Sequence, residues 1–406
     1  MREVFRLPDF RLLFVGLSTS MVGDALMLLV YGIWVKQLTG SSGAAGLAAL
    51  FVVVPYALGP LGGWVIDRFR RRPFLVVANL ASVVIVLPLL AVHGPSDVWI
   101  IYLVACLYGI SSVSIAAALN GLLRELLTTE ALGSGNGALQ TVREGLRLGG
   151  PLAGAALFAA FGGATVAIID GTTFIVAALA IARMTVREEP PERAVVPNWL
   201  HEITVGLSYI RAEAALRRMM AASAIAFLVI GINESLIYAL ADKALHRPAE
   251  FVGVLASAQG AGAVLGGLLA ARFIRRLGEL AATAIGLAAC GSGAGVCIIG
   301  LLPAVLAGRA VAGFGLAVTV VAFSTIVQRR TPKALIGRVS MAAETLTSGP
   351  QAMSIAAGAT LVSVLDYRLI LLIVLTGMAI GAVHLWTGRA LTPVVGEMDQ
   401  RDARLP

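Results

Sequence analysis

Apolar residues along this chain come in long runs separated by short polar breaks. A helix crossing a bilayer needs roughly 20 mostly apolar residues, and from Arg11 onward about twelve runs of that length follow. They cover residues 11–38, 43–66, 74–93, 97–123, 135–161, 163–185, 216–241, 250–271, 279–301, 303–328, 337–362 and 367–388. Turn signals mark the breaks: Gly40-Ser41-Ser42, His93-Gly94-Pro95, Gly162-Gly163, Pro248 and Pro303. The longest polar break, Val186 to Trp199, contains Glu188-Glu189-Pro190-Pro191-Glu192-Arg193. After it, Leu200 to Arg218 alternates charge with apolarity, as an interfacial helix leading into the seventh span would. The pattern predicts an all-α polytopic membrane protein with 12 transmembrane helices. Its parts are an N-terminal six-helix bundle (1–185), a cytoplasmic linker with the interfacial helix (186–215), a C-terminal six-helix bundle (216–390) and a cytoplasmic tail (391–406).

Composition agrees with this pattern. Of 406 residues, 58% are hydrophobic and 13% charged, whereas a soluble domain carries about 25% charged residues. So few charges cannot cover a water-facing surface, and lipid must cover much of it. The formal net charge of +8 sits in short clusters between apolar runs, which argues for membrane orientation and against nucleic-acid binding. One set of loops holds Arg68, Arg70, Arg71, Arg72, Arg124, Arg187, Arg193, Arg211, Arg217, Arg218, Arg272, Arg275, Arg276, Arg329, Arg330 and Lys333. The opposite set holds only Lys36, Lys243, Arg247 and Arg368. The rich set is assigned to the cytoplasm, which places both termini inside a cell inner (plasma) membrane. The basic start from Met1 to Arg11 resembles a signal peptide only superficially, because the apolar run behind it is too long; it reads as a retained first span. Cys106, Cys290 and Cys297 all fall in apolar runs and read as buried thiols.

The two halves repeat. Gly63-Trp64-Val65-Ile66-Asp67-Arg68-Phe69-Arg70-Arg71-Arg72 matches Gly267-Leu268-Leu269-Ala270-Ala271-Arg272-Phe273-Ile274-Arg275-Arg276 in its glycine, arginine, phenylalanine and arginine pair, at 267 − 63 = 204. Gly109 falls opposite Gly313 at the same offset, and Ala131-Leu132 opposite Ala334-Leu335 at 203. Same-direction six-span repeats are the architecture of the major facilitator superfamily. Gly63-x-x-x-Asp67-Arg68-x-x-Arg71-Arg72 resembles its signature between spans two and three, with Arg70 where a glycine is usual. Arg309-Ala310-Val311-Ala312-Gly313 is similar to its arginine-glycine motif, but lies in span ten, and Ala105 holds the span-four position. Gly150-Pro151-Leu152-Ala153-Gly154 resembles the conformational Gly-Pro element of its export antiporters.

A finer resemblance is to the macrolide-efflux, Tap-type multidrug and enterobactin-exporter branch. It rests on Phe10-Arg11-Leu12 with Ser20-x-x-Gly23-Asp24, on Ile169-Asp170-Gly171-Thr172-Thr173-Phe174, and on Glu202-Ile203-x-x-Gly206-Leu207-x-Tyr209-Ile210. This resemblance implies export driven by the proton gradient through alternating access. The expected partners are a small-molecule substrate, protons and membrane lipids, with the chain acting as a monomer. A dedicated exporter of a metabolite such as a siderophore, or a lipid-handling membrane protein, are the other readings.

No Gly-Lys pair occurs, so there is no ATP-binding loop, and no hydrolase or metalloprotease motif is present. Neither a cofactor, a metal nor a catalytic residue is expected. The chemistry then rests on ionisable groups within spans, where a charge costs at least ~2.5–3.5 kcal/mol on insertion scales. Asp24 lies ~20 Å into span one at 1.5 Å per residue, which the count assigns to the outer half of the membrane. It is either a polar cap there or a proton or substrate site. Asn233-Glu234 is the comparable pair in span seven, and the resembled fold lines its cavity with spans one, four, seven and ten. In span five, Arg143 and Glu144 stand with Arg147; the i, i+3 spacing lets Glu144 and Arg147 neutralise each other. Glu344 in span eleven is a proton site or is bonded across helices. Asp170, near the outer end of span six, reads as structural. Arg309 either draws an anionic group into the cavity or pairs with Asp24 or Glu234.

The resemblance also implies a cytoplasmic gate. Asp67 would meet the start of span eleven near Lys333, where a helix N-terminus favours an anion by ~0.3–1 kcal/mol. Its repeat position is Ala271, and that of Lys333 is Glu130, which Arg272 or Arg275 would face. Otherwise these charges only anchor lipid headgroups.

Overall fold

A computed structural model gives the fold, describing residues 4–55, 69–186, 188, 199–332 and 335–392. Every regular element among them is helical. Helix α1 (Pro8–Thr39) starts on a proline, whose fixed φ and missing N–H suit a first turn. It stops at Gly40, φ 68°, whose N–H donates to the Lys36 carbonyl at 2.8 Å. The Lys36 ammonium in turn donates to the Gly40 carbonyl at 2.7 Å, a cation at the negative end of the helix. The Ser41 hydroxyl then caps α2 (Ser42–Val53) by accepting from the Ala44 N–H at 3.2 Å.

Next come α3 (Arg71–Val86), prolonged by a 3-10 turn over Leu87–Ala91, and α4 (Val98–Leu126). The stretch Thr129–Ala182 is interrupted by Gly162 at φ 76°, ψ 172°, a conformation costly for any residue with a Cβ. It is therefore two helices, α5 (129–161) and α6 (163–182). The second half holds α7 (Trp199–Ala212), α8 (Ala214–Ile230), α9 (Asn233–Ala239), α10 (Val252–Leu277), α11 (Glu279–Cys297), α12 (Leu302–Arg330), α13 (Ile336–Val364) and α14 (Tyr367–Thr387).

Nine stretches among the described residues are long and apolar enough to cross a membrane, one of them the folded pair α5–α6. Helix α2 is apolar but short, and its predicted continuation to residue 66 lies outside the described residues. The outer surface carries bare Val77, Val84, Trp99, Leu268, Met353 and Val364, between 62% and 76% exposed, as lipid rather than water requires.

The seventh span covers Ala214–Ala244, and its hydrogen-bond ladder is interrupted between α8 and α9. There the Ile232 N–H leaves its own helix and donates to the Ser354 hydroxyl on α13 at 3.0 Å. The stretch from Leu200 to Arg218 also divides. Glu213 accepts from the Leu216 N–H at 2.7 Å and starts α8, so Arg217 and Arg218 belong to the span and not to α7.

The chain forms two compact units, Met1–Pro197 with Ala249–Val254, and Asn198–Pro248 with Leu255–Pro406. Within each, small residues let backbones approach closely, as helix packing in lipid favours. The internal repeat reappears as repeated contacts. A Cβ on Gly109 of α4 would stand 2.4 Å from the Val52 carbonyl on α2, and one on Gly313 of α12 1.8 Å from the Gln259 carbonyl on α10. Gly154 of α5 and Gly358 of α13, also 204 apart, each press on the first span of their own unit. Their Cβ atoms would meet the Leu26 carbonyl at 2.2 Å and the Ile232 Cα at 2.7 Å.

Candidate functional site

Each unit buries one polar cluster against its first span. In the first unit, Asp24 lies at the centre of α1, with 24 − 8 = 16 residues before it and 39 − 24 = 15 after. The Tyr108 hydroxyl on α4 donates to Asp24 Oδ1. Gly23, beside Asp24, leaves a gap that α6 fills: a Cβ there would lie 2.3 Å from both Asp170 Oδ1 and Thr173 Oγ1.

Asp170 is wholly buried, and neither of its carboxyl oxygens has a hydrogen-bond partner among the described residues. Tyr31 stacks edge-on against Tyr108 at 5.8 Å, and Phe174 does so at 5.9 Å, which closes the cluster on its apolar sides. Gly150 and Gly154 of the Gly-Pro element bring α5 onto Ala25 and Leu26, directly beside Asp24. Asp170, in the first half of α6, packs against Gly23 of α1.

In the second unit, Arg309 sits two turns into α12 and is 5% exposed. One terminal nitrogen donates to the Asn233 side-chain oxygen at 2.6 Å and the other to that of Gln259. Nε is buried without a partner. Both acceptors are neutral amides, so they orient the guanidinium without cancelling its charge. Glu234 is half-buried and makes no ion pair among the described residues; the expected Arg309–Glu234 bridge is not formed. Asn233, Gln259 and Arg309 line a cavity of about 60 Å³, room for a few waters by the usual measure.

Of the remaining predicted residues, Arg143 stands within electrostatic reach of Asp24. Arg143, Glu144 and Arg147 are exposed. Glu144 does not neutralise Arg147. It accepts from the Gln140 amide at 2.7 Å, one turn back, where Arg143 also donates to Gln140 at 3.4 Å. Glu344 is exposed, and its carboxylate has no partner among the described residues, so the cross-helix bond is not made.

Of the gate residues, Gly63, Asp67, Arg68 and Lys333 and the side chain of Glu130 fall outside the described residues, while Arg272 and Arg275 are exposed. Arg71 and Arg72 have a role inside their own unit. Their backbone N–H groups donate to the Glu188 carboxylate, that of Arg72 at 2.6 Å, which puts an anion on the N-terminus of α3. The Arg72 guanidinium donates to the carbonyls of Ile181 and Ala182 at 3.2 and 2.6 Å, a cation on the C-terminus of α6.

Sequence reasoning missed Tyr108, Gln259 and Glu188. Gln259 carried a usable signal, an amide inside an apolar run. Tyr108 had a weaker one, its place next to the repeat-matched Gly109. Glu188 had none.

The sequence profile of the Major Facilitator Superfamily matches residues 12–241. Macrolide efflux protein A of Streptococcus pyogenes is 21% identical over 268 residues, 65% of this chain, and the match spans 66% of that relative's length. The MFS-type transporter YfiS of Bacillus subtilis is 24% identical over 256 residues, 61% of this chain and 60% of its own. Among solved structures, a bacterial homologue of the iron transporter ferroportin in an inward-facing state superposes with a TM-score of 0.73 at 16% identity, covering 94% of this chain and 98% of that one. The nucleoside transporter NupG gives 0.74 at 13% identity, covering 93% and 99%. At such identities the structural likeness establishes the fold alone. With the helical fold, the repeated glycine contacts and the profile match, the chain belongs to the Major Facilitator Superfamily and is a multi-pass membrane transporter.

Proposed function

We propose that the chain is a proton-coupled exporter of amphipathic small molecules, macrolide-like drugs among them. One observation carries this reading: two carboxyls, the buried Asp170 and the half-buried Asp24, share one cluster with the Tyr108 hydroxyl, with Arg143 the cation within electrostatic reach of Asp24 and no hydrogen-bond partner on Asp170 among the described residues. Charge on such a group costs ~2.5–3.5 kcal/mol or more in the bilayer core, and taking up a proton removes that charge. Such a site loads and unloads protons as its access to water changes, as an antiporter requires. Relatedness to a macrolide efflux protein supports the cargo class. The bundles 1–185 and 216–390, joined by 186–215, would alternate access to the two sides of a plasma membrane with both termini in the cytoplasm.

The test uses purified protein in liposomes, an imposed pH gradient, no ATP and a radiolabelled macrolide. Gradient-dependent accumulation that a protonophore abolishes is expected. Accumulation that needs ATP and ignores the gradient would sink the reading.

A further inference from the structure

We infer that Arg309 is the seat of an organic anion, a carboxylate-bearing cargo whose apolar part lies along the adjoining wall. This inference rests on the transporter reading above and names the chemistry of one of its cargo sites.

The first argument is a contrast within one helix. Arg309, Arg329 and Arg330 all belong to α12. Arg329 finds Glu279 at 2.8 Å and Arg330 finds Glu213 at 3.5 Å. Those two are the partly exposed arginines, for which water could substitute. Arg309, the buried one, has only the amides of Asn233 and Gln259, and its Nε is unpartnered.

A buried guanidinium is expensive unless an anion meets it, and removing one partner of a buried pair is correspondingly costly. No described residue of the unit meets it at ion-pair distance, although the charge of Glu234 reaches it from farther off. Glu234, one residue from Asn233, is the nearest candidate, yet makes no ion pair. The fork geometry of arginine matches a carboxylate, and two amide oxygens holding its terminal nitrogens fix the plane in which a carboxylate must approach Nε.

The second argument is the wall. The cavity at Arg309 has room for only a few waters as it stands, so a body the size of benzoate requires it to widen; its lining is otherwise apolar, including Leu236, Leu316, Leu371, Val374 and Met378. A single oriented charge in an apolar hollow selects a molecule with one anionic end and an apolar body. Met378 gives that wall an adaptable, polarisable surface. Neutral or cationic analogues of the same shape would leave the guanidinium unmatched.

The test measures binding of radiolabelled benzoate to the full chain purified in maltoside micelles, by scintillation proximity. Unlabelled benzoate should displace the label, while benzamide, the neutral isostere, and benzylamine should displace it at least tenfold less well. Arg309→Gln should weaken binding at least tenfold and Arg309→Lys less, with unchanged gel-filtration profiles. Glu234→Gln, which removes the neighbouring negative charge, should tighten it several-fold. That variant carries the test if Arg309→Gln does not fold.

Equal displacement by benzamide, full benzoate affinity in Arg309→Gln, or weaker binding in Glu234→Gln overturns the inference. Displacement by millimolar chloride would make this an inorganic-ion seat and overturns it too. The assay needs no gradient. A chain that binds benzoate but ignores the pH gradient keeps this inference and loses the export reading; one that pumps a macrolide but binds no benzoate does the reverse.

Discussion

The two buried clusters occupy matching places in the repeat and have opposite chemistry. Each lies against the first span of its unit, beside a fourth-span glycine that presses on the second span. In the first unit the charged groups are two carboxyls and the neutral partner is a tyrosine. In the second, the charged group is an arginine and the neutral partners are amides. At the repeat offset Arg309 corresponds to Ala105 and Gln259 to Pro55, so neither side chain has a counterpart across the repeat. A duplicated frame keeps its glycine contacts because backbones must meet at fixed distances. Its polar side chains are free to diverge, here into one acidic cluster and one basic cluster.

The largest expected effect breaks the acidic cluster. Asp24→Asn and Asp170→Asn should each reduce gradient-driven transport to background while membrane levels stay normal. The double variant should be no worse, because groups acting as one unit lose their function once. Single variants that pump at near-normal rates would separate the carboxyls from coupling.

A smaller effect tests whether the frame is truly shared. Gly154→Val and Gly358→Val place new atoms against Leu26 and Ile232. Overpacking of this kind costs about 1–3 kcal/mol, so each should lower the thermal midpoint in nanodiscs by several degrees, to similar extents. A loss confined to one half would mean that the repeat is a likeness of sequence only.

The smallest effect has no equivalent described in the second unit. Glu188→Gln removes the anion from the start of α3 and should cost about 0.3–1 kcal/mol, more in low salt. An unchanged midpoint at low ionic strength would show that this cap is not formed in the membrane.

The sequence exposed the architecture well, because a bilayer imposes a length of about 20 apolar residues on every span, and because glycines at an offset of 204 mark repeated backbone contacts. It hid what depends on partners far along the chain. The break between α8 and α9 leaves no trace in local dihedrals, as Gly231 and Ile232 both keep helical values. Its cause is Ser354, 122 residues away. The packing of Asp170 into the gap at Gly23 on another helix is likewise invisible in its own span. Charges within spans mark Asp24 and Arg309, whereas Tyr108 and Gln259, neutral groups that bond to them, carry little signal in the sequence. Glu144 shows the converse error: spacing allowed an ion pair with Arg147, and a nearer glutamine took the carboxylate.

The turn at Gly162 bears on how the protein is made. One residue with φ 76° separates α5 from α6, so no tether exists on which α5 could wait in the bilayer while α6 stayed behind in water. The two must enter as a hairpin. Asp170 therefore enters the bilayer together with α5, the helix that also carries Gly150 and Gly154. A nascent chain halted at residue 161 should be extractable from the membrane by alkaline carbonate in larger part than one halted at residue 185. The same glycine that shapes the loop would thus set the order of assembly, closing the acidic cluster only when α5 and α6 arrive together at α1.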